Sequence, residues 1–265
     1  MTGNCETRLG KRWCALSGQG KRLDMEDRHI LVEDIGGLEG VTFAGVFDAH
    51  FDAEPAEHCV RGAPGLFLEA YKGGKKTVLR AIRYSFAELE RSLMERLTQD
   101  EAAGGCSGGC AGGIVAMTPR HIAFGHVGDV GCILVRRQGH VILHHDHSTD
   151  NRKERARILA HGGEINGQYV SIQKDEHEIQ MTRVIGDYSL KGKAITARPS
   201  LKGLERKPDD LWLVLASDWL WREHDPQVIV AELRKRRSIA TIEKFLTPFV
   251  RGARDNATII IIDCR

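Results

Sequence analysis

The sequence predicts an α+β fold, with helices packed on a mixed rather than a wholly parallel sheet, and three observations carry that prediction. Short apolar runs typical of buried strands recur along the chain, and two of them, 121–127 and 131–136, are separated only by a turn at Gly128-Asp129. One long stretch, Lys75 to Asp100, has its apolar residues on a single helical stripe. Strand-like and helix-like segments alternate irregularly, without the regular βαβ rhythm of a parallel sheet. No repeat, long linker or composition break divides the chain, so one domain is expected over residues 1–265.

Taken in order, residues 11–34 mix glycine with charges and read as a loop or strand end leading into a short strand at Arg28–Val32. Val41 to Phe47 is an apolar run bounded by Gly40, a buried strand that stops at Asp48 and His50. Asp52 to Lys72 reads as a helix interrupted near Gly62 and Pro64. In 75–100, Leu79, Ile82, Phe86, Leu89, Leu93 and Leu97 recur every three or four positions. Residues 102–113 are glycine-dense. A phosphate cradle would need a following lysine that is absent, which leaves a close-packed strand entry as the alternative. Cys106 and Cys110 lack partners to complete a metal set.

His140, His144, His145, Asp146 and His147 invite a zinc reading, but their spacing fits no standard site, and surface histidines at a strand end are the favoured reading. Asn151 to His161 reads as a helix closed by Gly162-Gly163. A loop is expected over roughly 192–210. Leu211 to Ala216 is a second apolar strand ending at an acid, Asp218. Asp225-Pro226 opens a helix, another covers about 239–250, and Asp255 immediately precedes a third apolar strand from Ala257.

Composition excludes several classes. A net charge of +2 gives no reason to expect nucleic acid, and the basic run Arg234–Arg237 reads as a solvated helix end. Seven cysteines without C-x-x-C spacing suggest reduced thiols. With no apolar leader and no membrane-length run, a soluble intracellular protein, cytoplasmic or nuclear and away from membranes, is expected.

Asp48, Asp218 and Asp255 share one context, each beside a strongly apolar strand. Singly, each reads as a turn residue. Together, three carboxylates would repel and raise one another's pKa unless a cation lay among them. Hard divalent ions such as Mg²⁺ and Mn²⁺ accept such oxygen sets, and paired ions are a standard device for displacing a phosphate ester.

Around these acids the chain resembles the type 2C, or PPM, family of metal-dependent serine/threonine protein phosphatases. The motifs fall in family order: Gly20 to Asp27 with its Arg-x-x-Met-Glu-Asp core, Phe47-Asp-Ala-His50, Ser107 to Ala111 and Val127-Gly-Asp129. Asp146-His147 with Gly162-Gly163, Thr182 to Asp187, Leu215 to Asp218 and Arg254-Asp-Asn256 follow. The resemblance implies a four-layer α-β-β-α sandwich of two antiparallel sheets flanked by helices. It implies two Mn²⁺ or Mg²⁺ ions held by Glu26, Asp27, Asp48, the Ala49 carbonyl, Asp218 and Asp255, with Asp129, Asp187 and Asn256 in support. A hydroxide bridging the metals would attack phosphorus, Arg22 would clamp the phosphate, and His50 would protonate the leaving oxygen. The partner would be a phosphoprotein substrate.

Five positions around the site depart from the family pattern. Ala49 replaces a glycine but keeps its carbonyl. Phe51 and Asp52 bring bulk and negative charge beside the cleft. Trp219 replaces a glycine, adding a large ring near the metals and strain if that position needs positive φ. Arg222 replaces an acid of a third, weaker metal site, which is then expected to be lost although Asp129 remains. Two readings follow: an active phosphatase, and a pseudophosphatase that keeps the fold and binds a partner.

Overall fold

A computed structural model describes residues 5–73, 75–100, 108–172, 178–192 and 194–265. The chain runs through β1 (Cys5–Leu9), β2 (Trp13–Gly18), β3 (Arg28–Val32), β4 (Thr42–His50), α1 (Glu54–Ala70) and α2 (Lys75–Asp100). It continues with β5 (Gly109–Met117), β6 (His121–Val127), β7 (Gly131–Arg136), β8 (His140–Ile142), α3 (Arg152–Ala160), β9 (Glu164–Asn166), β10 (Tyr169–Ser171) and β11 (Ile185–Gly186). It closes with β12 (Ser200–Glu205), β13 (Asp210–Ala216), α4 (Asp218–Glu223), α5 (Pro226–Lys235), α6 (Ile239–Gly252) and β14 (Ala257–Asp263).

Two antiparallel sheets form the centre, one in the order β1-β2-β14-β13-β7-β8 and the other in the order β12-β6-β5-β4-β3, with β11 alongside β5. Val46, Val115, Phe124, Leu213, Leu215 and Ile260 are buried between them. Helices α1 and α2 cover the outer face of the second sheet through Phe67, Ile82, Phe86 and Leu89. Helices α5 and α6 cover the first through Ile229, Leu233, Ile242 and Leu246. The result is the four-layer α-β-β-α sandwich. Strands β4, β5, β13 and β14 are buried along almost their whole length, which is why they read as continuous apolar runs instead of alternating ones.

Four elements differ from the sequence reading. The runs 121–127 and 131–136 do not form a hairpin: β6 pairs with β5 and β12, whereas β7 pairs with β13 and β8 in the other sheet. The Gly128-Asp129 turn therefore crosses between sheets, carrying Val130 into the core between them. Helix α1 runs unbroken through Gly62 and Pro64. At Gly62 a Cβ would lie 3.0 Å from Leu89 of α2, so this glycine serves close helix packing rather than termination. The expected loop over 192–210 contains β12, an edge strand paired to β6 whose half-exposed residues give no apolar signal. Residues 13–18 form an interior strand between β1 and β14, where a loop was the alternative.

The glycine-rich entry to β5 is a packing device among its described residues, 108 onward; Cys106 and Ser107 lie outside them. A Cβ at Gly112 would meet the Phe47 ring at 2.9 Å, and one at Gly113 would meet Val130 at 2.6 Å. His147 is not a surface residue. It is buried and stacked on the buried His126 with ring centroids 4.5 Å apart. Burial pushes the His126 imidazole down to about 3 and lowers His147 further, so both are neutral. The Arg234–Arg236 run is spent rather than merely solvated: Arg234 donates to the Arg136 carbonyl, and Arg236 lies 3.8 Å over the Phe245 ring. No helix among the described residues is long and apolar enough to cross a membrane.

Candidate metal centre

Strand β4 ends at His50, β13 ends at Ala216, and β14 begins at Ala257, with Ala216 opposite Ile259 in the β13–β14 ladder. These ends open on one cavity of ≈ 430 Å³ whose lining includes Arg22, Glu26, Asp48, His50, Asp218 and Asp255. Ala49, Phe51, Asp129, Arg222 and Asn256 share it. A rigid double sheet thus gathers acids from Glu26 near one end of the chain to Asp255 near the other.

At the centre, Asp48, Asp129 and Asp218 each offer a carboxylate oxygen within 4.8 Å of the others. Burial pushes the Asp218 carboxyl up to about 7, with Asp129 adding to it, and burial with Asp27 raises Asp48 well above the usual range. The donors are all oxygen, which suits Mg²⁺ or Mn²⁺ rather than zinc. Asp27 lies behind this group. Its Oδ2 accepts from the Ser217 hydroxyl at 2.8 Å, and its Oδ1 is buried with no hydrogen-bond partner. An orphaned carboxylate oxygen beside three crowded acids is what a divalent cation, or water bound to one, would satisfy. The donor set fits the ion the sequence anticipates.

The cations of this cavity are its own arginines. Arg222 donates from Nη2 to Asp129 Oδ2 at 2.9 Å and from Nη1 to Asp218 Oδ2 at 2.8 Å, bridging two of the three central acids. Arg22 donates to Asp255 Oδ2 at 2.6 Å. Asn256 supports the wall: its Oδ1 accepts from the Glu26 amide at 2.7 Å, and its Nδ2 donates to the carbonyls of Gln19 and Asp24. His50 Nε2 lies 2.8 Å from Asp187 Oδ2, whose side chain is wholly buried. Gly109 makes room for that carboxylate, since a Cβ there would fall 2.2 Å from Asp187 Oδ2.

Two of the departures behave differently from expectation. Trp219 does not crowd the acids. It sits in the first turn of α4 without positive φ, 1% exposed in the core under α5 and α6, and its Nε1 donates to the Thr258 carbonyl. Asp52 lies outside the cavity lining and accepts from the Glu54 amide at the start of α1, although its charge still adds to the burial that raises the Glu26 carboxyl on the cavity wall. The strain falls instead on Phe51, with φ 68, one of three non-glycine residues at positive φ among the described residues. The residue is 65% exposed at the cavity mouth, with its ring edge-on to His50 at 5.4 Å between centroids. We expect Phe51→Gly to be more stable than Phe51→Ala by about 1 kcal/mol in urea unfolding, because only glycine relieves the left-handed backbone. Equal midpoints would show the strain is absent.

The raised carboxyls also set a pH signature. Folded pKa values above the unfolded ones mean that the metal-free fold holds extra protons between about pH 4 and about pH 7, so these groups lose stabilising effect as pH rises through that window. The neutral His126 and His147 act oppositely below the ordinary histidine range, so raw melting temperature is a poor readout. The increment added by Mn²⁺ is a better one. It should be small near pH 5.5 and grow towards pH 8, because the acids must release protons to take the ion. Thermal melts with and without Mn²⁺ across this range measure it, and a flat increment would show that the acids are already ionised.

Comparisons with known proteins agree with this geometry. The family model described as Protein phosphatase 2C matches residues 14–258. A protein kinase and PP2C-like domain-containing protein of Oryza sativa subsp. japonica is 29% identical over 96% of this chain and 39% of its own length. Probable protein phosphatase 1N of Homo sapiens is 27% identical over 98% of this chain and 62% of its own. Protein phosphatase 1A of Homo sapiens is 28% identical over 96% and 70%. The chain thus spans about two-fifths and three-fifths of the first two relatives. Among solved structures, serine-threonine phosphatase 2C from Toxoplasma gondii superposes with a TM-score of 0.81 at 16% identity, covering 98% of each chain. A C. elegans sex determining protein gives 0.79 at 18% identity, over 98% of this chain and 66% of that one. At these identities the structural matches speak for the fold.

Proposed function

The chain belongs to the protein phosphatase 2C family, and we propose that it hydrolyses phosphoserine and phosphothreonine in a phosphoprotein substrate with the help of Mn²⁺ or Mg²⁺. The observation that carries this reading is the set of Asp48, Asp129 and Asp218, whose oxygens lie within 4.8 Å of one another in a cavity that also holds Arg22 and His50. Asp48 and Asp218, with Asp255, Glu26 and the Ala49 carbonyl on the same wall, would hold the ions, and Asp27 would accept from water bound to them. When bound, such an ion lowers the pKa of water beside it and neutralises charge on the phosphoryl oxygens.

The chain's own groups do the rest. Arg22 keeps one nitrogen on Asp255, and its remaining donors are available to two phosphoryl oxygens. His50 donates a proton to the serine or threonine oxygen as it leaves. Asp187, its Oδ2 2.8 Å from Nε2, fixes the ring from the buried side. The free thiols among the described cysteines suit a reducing cytoplasm or nucleus.

A second reading, a pseudophosphatase that binds its partner without turnover, is favoured by one observation: Arg222 bridges Asp129 and Asp218, where a cation would otherwise be drawn. The two are separated by titrating MnCl₂ into the protein by calorimetry and assaying phosphopeptide hydrolysis beside Asp218→Asn. Turnover at least a hundredfold above that control supports the enzyme. Metal uptake with turnover equal to the control would leave the binding module.

A further inference from the structure

A second cavity, of ≈ 730 Å³, lies outside the metal centre, between α2, the end of α3, Lys191 with Gly192, and residues 195–199. Four cations line it, Arg83, Arg157, Lys191 and Arg198, against one acid, Glu90. Two of the four are already paired. Lys191 Nζ lies 2.8 Å from Glu90 Oε1, and Arg157 is held by Glu154 and the Thr182 and Ala194 carbonyls. Arg83 and Arg198 are exposed, and neither has a carboxylate partner among the described residues. Apolar surface from Ala87, Ala197 and Pro199 shares the lining with these charges, over the buried Ile195.

The cavity wall is continuous with the metal centre. Glu90 spans α2 and the turn before Asp187: one oxygen takes Lys191, and the other accepts the Gly186 amide at 3.0 Å. The Tyr188 hydroxyl donates to the Glu90 carbonyl at 3.0 Å, gripping the same turn. Asp187, the next residue after Gly186, is the group that holds His50. An anion beside Lys191 would compete with Glu90, whose other oxygen holds the turn that leads to the His50 contact.

We propose that this cavity binds an acidic peptide segment of a protein partner, its carboxylates on Arg83, Arg198 and the Lys191 that shares their lining and an apolar side chain against Ala197 and Pro199, and that competition with Glu90 for Lys191 makes its occupancy felt at His50. Peptide is favoured over a small anion because the two open arginines flank apolar surface that a bare phosphate would leave uncovered. The coupling concerns the ring proposed above as the proton donor; the binding does not depend on turnover.

The test uses the full chain and a fluorescein-labelled octapeptide of glutamates around two leucines, with the matching glutamine peptide as control. Fluorescence anisotropy should show binding that weakens with added salt. Binding should be at least tenfold weaker for the glutamine peptide and for the Arg83→Glu/Arg198→Glu double variant, whose exposed sites leave the fold intact by circular dichroism. Equal affinity for wild type and double variant would overturn the site, as would pyrophosphate binding at least as tightly as the peptide. In NMR, the His50 ring signal should move on saturation; saturation without movement would overturn the coupling. A chain with no phosphatase turnover that still binds the acidic peptide would fail the reading of the metal centre and leave this one standing.

Discussion

Asp48→Asn is expected to weaken Mn²⁺ binding by at least a hundredfold, to reduce phosphopeptide turnover to the metal-free background, and to make the metal-free protein more stable. The first two effects follow from position. Asp48 lies in the middle of the acid group, within 4.8 Å of both Asp129 and Asp218, so its loss removes an oxygen that no neighbour replaces. The third follows from cost. Burial is the largest influence on Asp48, and Asp27, Asp218, Asp129 and Asp255 all push its carboxyl in the same direction. An ionised carboxylate there is paid for only by a cation. Asparagine keeps the shape, drops the charge and relieves its neighbours, and a gain of about 1–3 kcal/mol in urea unfolding under chelation is the order expected when a strained charge is removed. Loss of metal binding together with a gain in metal-free stability is the signature of a residue retained for function. If Asp48→Asn bound Mn²⁺ as wild type does, the centre would have to lie elsewhere. If it were destabilised instead, Asp48 would be a structural hydrogen-bonding residue.

Much of the centre was legible in the sequence because strand ends advertise themselves. Asp48, Asp218 and Asp255 each interrupt or precede a run of fully buried residues, and a charge at such an edge is a local signal. The sandwich itself was legible only through resemblance, because β6 and β7 look like a hairpin until their pairing partners are known. Sheet membership depends on β5, β12, β13 and β8, which contribute nothing to the local pattern. Edge strand β12 was lost for a related reason: half-exposed residues such as Lys202 and Glu205 satisfy the ladder with their backbones and leave no apolar trace. Side-chain direction was equally hidden. Trp219 follows Asp218 directly, yet the helical turn between them sends one side chain into the core and leaves the other on the cavity. Arg222, one helical turn beyond Asp218, returns to the same face, which is why it and not Trp219 is the departure that matters.

Arg222→Ala is expected to destabilise the metal-free protein and to make it more dependent on metal for its stability. The guanidinium offsets two carboxylates at once, Asp129 at 2.9 Å and Asp218 at 2.8 Å, and without it both remain crowded against Asp48 with no cation of the chain's own. Breaking a fully buried pair costs about 3–5 kcal/mol. Arg222 is 53% exposed, so water screens part of the loss and about 1–3 kcal/mol is the expected order. Excess Mn²⁺ should recover more than that loss, because the ion and the guanidinium draw on the same two acids and the variant no longer makes them compete. A tenfold gain in Mn²⁺ affinity corresponds to about 1.4 kcal/mol of added stabilisation at saturation. Calorimetric titration should show either that gain or one additional ion bound per chain, with urea unfolding under chelation and under excess Mn²⁺ supplying the stability arm. Unchanged affinity and stoichiometry would mean that the arginine swings clear when the ion arrives and takes no part in setting how many the centre holds. Competition would instead make Arg222 a tethered cation, one that steadies the acids in the absence of metal at the expense of metal affinity.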